Sequence, residues 1–195
     1  MYTDVLADAS FPGSLLALDV ELAEQTRGRG CPHCGGTLHS ARYLRKPRGG
    51  LWSLEEELAV RHSFCCARDG CRRRVLPPSV RFLGRRVYLA AIVVLGAVLQ
   101  QGPTAQRLSR LASYVRVDRR TLARWRRWWL EQARRSRSAQ LALRAFVPPV
   151  ALDSLPQSLL DRFAGGASER LRLMLQWLSK SRFSAEPGRP AEDAR

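Results

Sequence analysis

The residues with the most specific chemistry in this 195-residue chain are two cysteine clusters, CPHCGG at 31–36 and FCCARDGC at 64–71. Two loops that each deliver two thiolates can build one tetrahedral metal site. In the first loop, two intervening residues let Cys31 and Cys34 converge on a single ion, and Gly35–Gly36 permits the tight turn that aims backbone amides at sulfur. In the second, Cys66 and Cys71 enclose four residues, the upper end of common zinc spacing, whereas Cys65 would enclose five. The expected ligands are therefore Cys31, Cys34, Cys66 and Cys71, with Cys65 directed away along a strand. His33, His39 and His62 are neighbouring alternatives, but four thiolates already fill the shell. Such a shell leaves no position for a catalytic water, so the expectation is one structural Zn2+ ion whose task is folding. Zinc is favoured over iron because structural four-thiolate sites usually hold zinc. Disulfides fit a cytoplasmic chain poorly, and unrelated buried thiols would not fall into this spacing.

A second chemistry lies in the charge. The chain carries 33 Lys and Arg against 17 Asp and Glu, a net charge of +16. It is unevenly spread: residues 1–26 carry −5, residues 27–145 carry +20 and residues 146–195 carry +1. Solvated faces usually mix both signs, so a local excess of this size calls for a polyanion. The densest stretch is DRRTLARWRRWWLEQARR, residues 118–135. Leu122, Trp125 and Trp129 recur at helical spacing and form an apolar stripe, and Asp118 can cap the helix. The opposite face is expected to show Arg119, Arg120, Arg124 and Arg127, with Thr121 and Ala123 near its start, the composition of a helix that reads a major groove. Trp128, beside the stripe, is more simply core than contact. Around the cysteines, Arg42, Arg45, Lys46, Arg48, Arg72, Arg73 and Arg74 are expected to contact phosphate.

The elements that must position these groups follow from periodicity and breakers. Leu15–Gln25 has the apolar spacing of a short helix, ending in a loop at Thr26–Gly30. TLHSARYLRK and LAVRHSFC alternate as strands of a zinc ribbon with KPRGG as a turn. Pro77–Pro78 closes the ribbon, and VYLAAIVVLGAVL, residues 87–99, reads as a buried helix starting near Arg85. That run is shorter than the roughly 17 to 25 residues of a membrane span. After the Gly102–Pro103 break, Thr104–Ser113 forms a helix with Ala105, Leu108, Leu111 and Ala112 on one side. Tyr114, Val115 and Val117 fill a turn before the arginine-rich helix, which completes a helix-turn-helix. Beyond Pro148–Pro149, Leu155–Ala164 and Ser168–Arg182 read as two helices joined at Gly165–Gly166, with Ser168 as N-cap. The stripe Leu171, Met174, Leu175 and Leu178 either completes the core or pairs two chains as a homodimer. The fold class is mainly α with a small β zinc ribbon. The segments are an acidic N-terminal 1–30, a ribbon 31–78, a helical domain 79–147, a C-terminal helical pair 148–183 and a tail 184–195. The 45% hydrophobic content is enough to close such cores, which excludes wholesale disorder. Asp4 and Asp8, with no basic residue near them, argue against a secretory signal and for a cytoplasmic, nucleoid-associated protein.

A zinc ribbon followed by a helix-turn-helix resembles the small end-binding proteins and N-terminal modules of bacterial insertion-sequence transposases. CPHCGG and the TLARW helix carry the likeness, which covers Cys31 to about Arg135. CPHCGG, RKPRGG, FCCARDGCRRR and PPSVRFLGRRVYLAA are also similar to a group of uncharacterised bacterial proteins. The insertion-sequence resemblance implies binding of element ends or a promoter, in double-stranded DNA, through Arg119, Arg120, Thr121, Arg124 and Arg127. The chain departs from a full transposase in having no room for an RNase H-like domain, so recombination chemistry would come from a separate transposase or integrase. The expected protein is thus a non-enzymatic transposition accessory factor or transcriptional regulator. Zinc ribbons with basic loops also bind structured RNA, which is the first alternative. The second is a metal-dependent nuclease or integrase subunit using Glu55, Glu56 and Glu57 with His62, although three adjacent acids on a helix point in different directions.

Overall fold

The computed structural model describes Val5 and residues 8–45, 56–82, 90–98, 119–135 and 137–181. Helix α1, Phe11–Arg29, opens with Pro12 in its first turn, where the missing N–H has no intrahelical partner to lose. It buries Phe11, Leu15, Leu22 and Ala23 at helical spacing. Arg27 and Arg29 complement the negative end of its dipole, and Gly30, at φ 74°, ends it. The helix is longer than the Leu15–Gln25 expected from sequence. Thr26 does not open a loop: its hydroxyl donates to the Leu22 carbonyl at 2.8 Å and the residue stays helical.

The chain then forms a small antiparallel β region. Strands β1 (Leu38–Ser40) and β2 (Tyr43–Leu44) run against β3 (Val60–Arg61) and β4 (Phe64–Cys66), with the short helix α2 (Glu56–Ala59) before β3. The registers Leu38↔Cys66 and Leu44↔Val60 bound one interrupted hairpin, and an Ala41 N–H to Ser63 carbonyl bond of 2.8 Å bridges the interruption. These are the two stretches whose alternation predicts strands; the KPRGG turn itself lies outside the described residues. A third strand, β5 (Arg74–Val75), joins β4 with Phe64 opposite Val75, so the larger sheet has the order β1-β4-β5. Two residues inside an arginine run carry no alternation from which β5 could be read.

The remaining described elements are helices: α3 (Ala90–Val98), α4 (Arg119–Arg135), α5 (Arg137–Arg144), a 3-10 turn at Leu152–Ser154, α6 (Gln157–Leu160) and α7 (Ala167–Lys180). One apolar cluster joins them to α1, running from Phe11 and Leu15 through Val93, Val94 and Trp129 to Leu159 and Leu171. The protein is therefore mainly α with a small β region. Leu171, Met174, Leu175 and Leu178 are all inside that cluster, so the stripe completes this chain's own core rather than an open face. Helix α6 is shorter than Leu155–Ala164. After Leu160 the backbone tightens into i→i+3 bonds at Arg162 and Phe163, which sets the Phe163 ring edge-on to Phe146 at 5.9 Å. Ser168 lies within the first turn of α7, and Gly166 takes the cap position. The expected helix Thr104–Ser113, the turn residues Tyr114, Val115 and Val117, the Asp118 cap and the tail 184–195 lie outside the described residues.

Candidate metal centre and basic helix

Helix α1 delivers the first cysteine directly, because Gly30 turns the chain at the helix end and Cys31 follows. The Cys31 N–H donates to the Gly36 carbonyl at 2.9 Å and the Gly35 N–H to the Cys31 carbonyl at 2.8 Å, which closes a tight loop around Cys34. Gly35 takes φ 70°, and Gly36 lies so close to the sulfurs that a Cβ there would sit 3.2 Å from Cys66 Sγ and 3.3 Å from Cys34 Sγ. The second loop springs from the end of β4. Its N–H groups at Cys71 and Arg72 both donate to the Arg68 carbonyl, and Gly70 turns at φ 82°.

The two loops bring Cys31, Cys34, Cys66 and Cys71 together, with all four sulfurs within 4.8 Å of one another. Cys34 and Cys66 are 3.4 Å apart and Cys31 and Cys71 3.8 Å, around the edge of about 3.8 Å that a tetrahedron with metal–sulfur bonds of about 2.3 Å requires. These four residues could hold one metal ion, and the donor set, the spacing and the side-chain-free Gly36 all fit it. Cys65 is not among them. It lies on the other face of β4, its Sγ 3.4 Å from the Arg72 carbonyl. Cys65→Ser is accordingly expected to leave metal content, read by elemental analysis, at one ion per chain.

The thiols are strongly polarised against one another. Backbone N–H donation at Gly36 and the Cys66 thiol lower Cys34 to about 7. At Cys66 the Arg68 N–H favours the thiolate, but burial and the sulfurs of Cys34, Cys71 and Cys31 outweigh it and push the group up to about 12. Cys71 also goes up, as burial and Cys34 and Cys31 overcome donation from Arg73. Four sulfurs this close cannot all ionise unless a cation lies among them.

A collar of arginines surrounds the loops. Arg68 donates to the Cys34 carbonyl at 3.0 Å, and Arg73 to His33 Nδ1 at 3.2 Å, so each loop is tied to the other by a cationic side chain. Arg72 is exposed and paired with Asp69 at 2.7 Å, while Arg74 lies over the Tyr43 ring at 5.4 Å. Arg42 is exposed. Arg45 is half-buried, its guanidinium 5.3 Å from the Phe82 centroid. The ring of Phe82, in the segment that closes the β region, offers the cation a π face that the sequence spacing could not reveal. Lys46 and Arg48 lie outside the described residues. His33 and His39 are exposed, and neither belongs to the four-sulfur group. Glu56, Glu57 and His62 form no metal-holding group among the described residues, and Glu55 lies outside them. Burial and then the charge of Arg81 lower His62.

The second candidate surface is α4. Trp125 and Trp129 are buried, and Trp128 meets Trp129 edge-on at 4.8 Å on the core side. Exposed positions Arg120, Ala123, Arg124, Arg127, Glu131 and Arg135 follow one another at i, i+3, i+4, i+7, i+11 and i+15, a continuous outward face with one acid. The side chains of Arg119 and Leu122 lie outside the described ones. Thr121 belongs to the core side, with 3% of its surface exposed. The reason is its place four residues before Trp125 and eight before Trp129, which puts it on their face. No acid stands in the first turn of α4, which opens Arg119–Arg120 at the positive end of the helix dipole. Like charges at that end of the dipole are unfavourable to the helix.

A feature without a motif in the sequence ties helix α1 to the β region. Asp19, 1% exposed, accepts from Ser79 Oγ and the Val80 N–H at 2.6 Å and from Arg81 Nε at 2.8 Å. Arg81 in turn donates to the carbonyls of Leu58 at 2.6 Å and Val60 at 2.8 Å, and Arg61 to that of Pro77 at 2.6 Å. The signal was present: Asp19 stands four residues after Leu15 and three before Leu22, an acid on the apolar face of α1 that needs a buried donor.

No protein-family model, curated protein or solved structure matches the chain. Among the described residues, no helix is long and apolar enough to cross a membrane.

Proposed function

We propose that this chain is a zinc-dependent protein that binds double-stranded DNA, serving as a transposition accessory factor or a transcriptional regulator. In this reading the four-cysteine centre is the metal site of a zinc ribbon, and α4 is the recognition helix of a helix-turn-helix. The observation that carries it is the outward face of α4, with Arg120, Arg124, Arg127 and Arg135 exposed against the single acid Glu131 while the tryptophans anchor the opposite side. Four guanidinium groups along one helix repel one another until a polyanion neutralises them, and the guanidinium fork suits both phosphate and guanine edges. Arg72, Arg73 and Arg74 at the metal loops add a second cationic surface for phosphate. A single zinc ion suits the sulfur spacing better than an iron–sulfur cluster, whose several metal atoms hold their cysteines further apart.

The test is a selection from random duplexes with zinc-loaded protein, followed by anisotropy titrations at several salt concentrations. Arg124→Ala with Arg127→Ala is expected to weaken binding at least about tenfold and to flatten the salt dependence by about one to two phosphate equivalents. Tighter binding to folded RNA than to any duplex, without discrimination between duplex sequences, would transfer the function to RNA. Wild-type affinity in the double variant would remove α4 from the interface.

A further inference from the structure

On α4, Thr121 and Arg124 form a unit that neither residue type announces alone. Thr121 is buried, and its Oγ1 accepts from the Arg124 guanidinium at 2.9 Å across one helical turn, while Arg124 itself is exposed. The nature of the acceptor matters. Arg72 is held by the carboxylate of Asp69, Arg27 by Glu24 and half-buried Arg172 by Glu169, whereas Arg68 and Arg73, like Arg124, are held by neutral acceptors. Each carboxylate pair sets a negative charge beside the positive one. A hydroxyl orders the guanidinium without neutralising it. Among the described residues no acid pairs with Arg124, so it keeps its full charge and its remaining N–H groups.

We infer that Thr121 is a positioning residue that holds Arg124 ready for a planar, two-pronged acceptor, and that Arg124 is the residue through which α4 discriminates among ligands. The inference rests on the proposed binding of nucleic acid. A free arginine side chain carries rotamer entropy that binding must remove, and a guanidinium already tethered at one nitrogen has less to lose. Because the tether leaves from a buried threonine on the tryptophan side, the fork is referenced to the helix core rather than to solvent. The matching chemistry is a guanine O6/N7 edge or a phosphate with two free oxygens, both of which accept two parallel N–H bonds.

The experiment compares Thr121→Val, Thr121→Ser, Arg124→Ala and the Thr121→Val/Arg124→Ala pair in the full zinc-loaded chain. Binding is read on the selected duplex, on single-base changes of it and over a range of salt. Arg124 Nε order is read separately, by nitrogen relaxation of the free protein. Thr121→Val is expected to weaken binding by about fivefold, to release Arg124 Nε, and to have no added effect once Arg124 is Ala; Thr121→Ser is expected to restore both readouts. A loss confined to one base pair identifies a guanine edge, and a uniform loss with a shallower salt slope identifies phosphate and overturns the discriminating role while leaving the tether. An Arg124 Nε that is equally mobile in wild type and Thr121→Val overturns the positioning role, and needs no ligand to do so. Should Arg124→Ala weaken binding while Thr121→Val does not, the tether is idle although the interface stands. Should Arg124→Ala bind as wild type, the discriminating role and the α4 interface both fail. If Thr121→Val does not fold, the same relaxation measurement on Thr121→Ala, expected to release Nε, decides the tether.

Discussion

Cys66→Ser is expected to abolish stoichiometric metal binding and to unravel residues 31–75, while the helical core stays folded. The β region has little else to hold it. Its apolar cluster consists of Ala23, Leu38 and Phe64 together with Cys31 and Cys66 themselves, and its strands are two or three residues long. Burying one Leu or Phe contributes roughly 1.5–3 kcal/mol, which cannot offset the ordering of some forty residues. A structural zinc ion in a thiolate shell contributes about 10–16 kcal/mol of apparent binding free energy, comparable to the whole stability of a typical domain. Cys66 is the sharpest place to cut, because it is fully buried and its sulfur lies 3.4 Å from that of Cys34. Amide hydrogen exchange should show protection lost across the two loops, β1 and β4, and retained in α3 and α7. A strong chelator should reproduce that pattern in the unmodified chain. Metal loading should release protons and weaken as pH falls, since Cys66 and Cys71 hold theirs tightly when no cation is present. Unchanged exchange protection at residues 31–75 after the metal is removed would show that the loops are held by something other than an ion.

The contrast between the two sites explains what the sequence could and could not disclose. The sulfur group was legible because its geometry is local: two short loops with fixed ligand spacing and glycines where the backbone crowds the sulfurs leave few ways to fold. Even the choice of Cys66 over Cys65 followed from counting residues, and the alternation of β4 turns Cys65 to the other face. On α4 the period of 3.6 identified Trp125 and Trp129 as core, yet Thr121 was assigned to the arginine face from its polarity alone. Its spacing from Trp125 outranks its hydroxyl, which is satisfied from within the helix by Arg124. The Phe82 contact of Arg45 was hidden for a different reason. Nothing local links Arg45 to Phe82, and a contact across 37 positions depends on how the β region closes on the segment after it. The extent of α1 was misjudged because Thr26 can hide its hydroxyl in the helix.

Arg81→Met is expected to destabilise the protein by about 3–5 kcal/mol, the cost of leaving a buried charge without its partner. The carboxylate of Asp19 is completely inaccessible, and the Arg81 side chain is 3% exposed. With the guanidinium gone, Asp19 keeps donors from Ser79 and Val80 but loses its counter-charge, and the carbonyls of Leu58 and Val60 lose theirs as well. Asp19→Asn should also be destabilising, because it leaves the Arg81 guanidinium as the buried charge without a partner and turns an amide N–H toward one of the three donors. Combining Asp19→Leu with Arg81→Met should recover part of the loss by removing both charges, but not all of it, since the Ser79 O–H, the Val80 N–H and the two carbonyls lose their partners. Urea unfolding of the zinc-loaded chain measures these differences, and a change below about 1 kcal/mol for Arg81→Met would mean that water reaches the pair. The position of the joint gives the prediction its second readout. Asp19 is in the middle of α1, whose far end becomes the first cysteine loop, and Arg81 grips the strand that leads to the second. Metal content should therefore survive Arg81→Met while the two basic surfaces lose their fixed relation. Affinity for a duplex long enough to touch both should then fall more than affinity for one that reaches α4 alone.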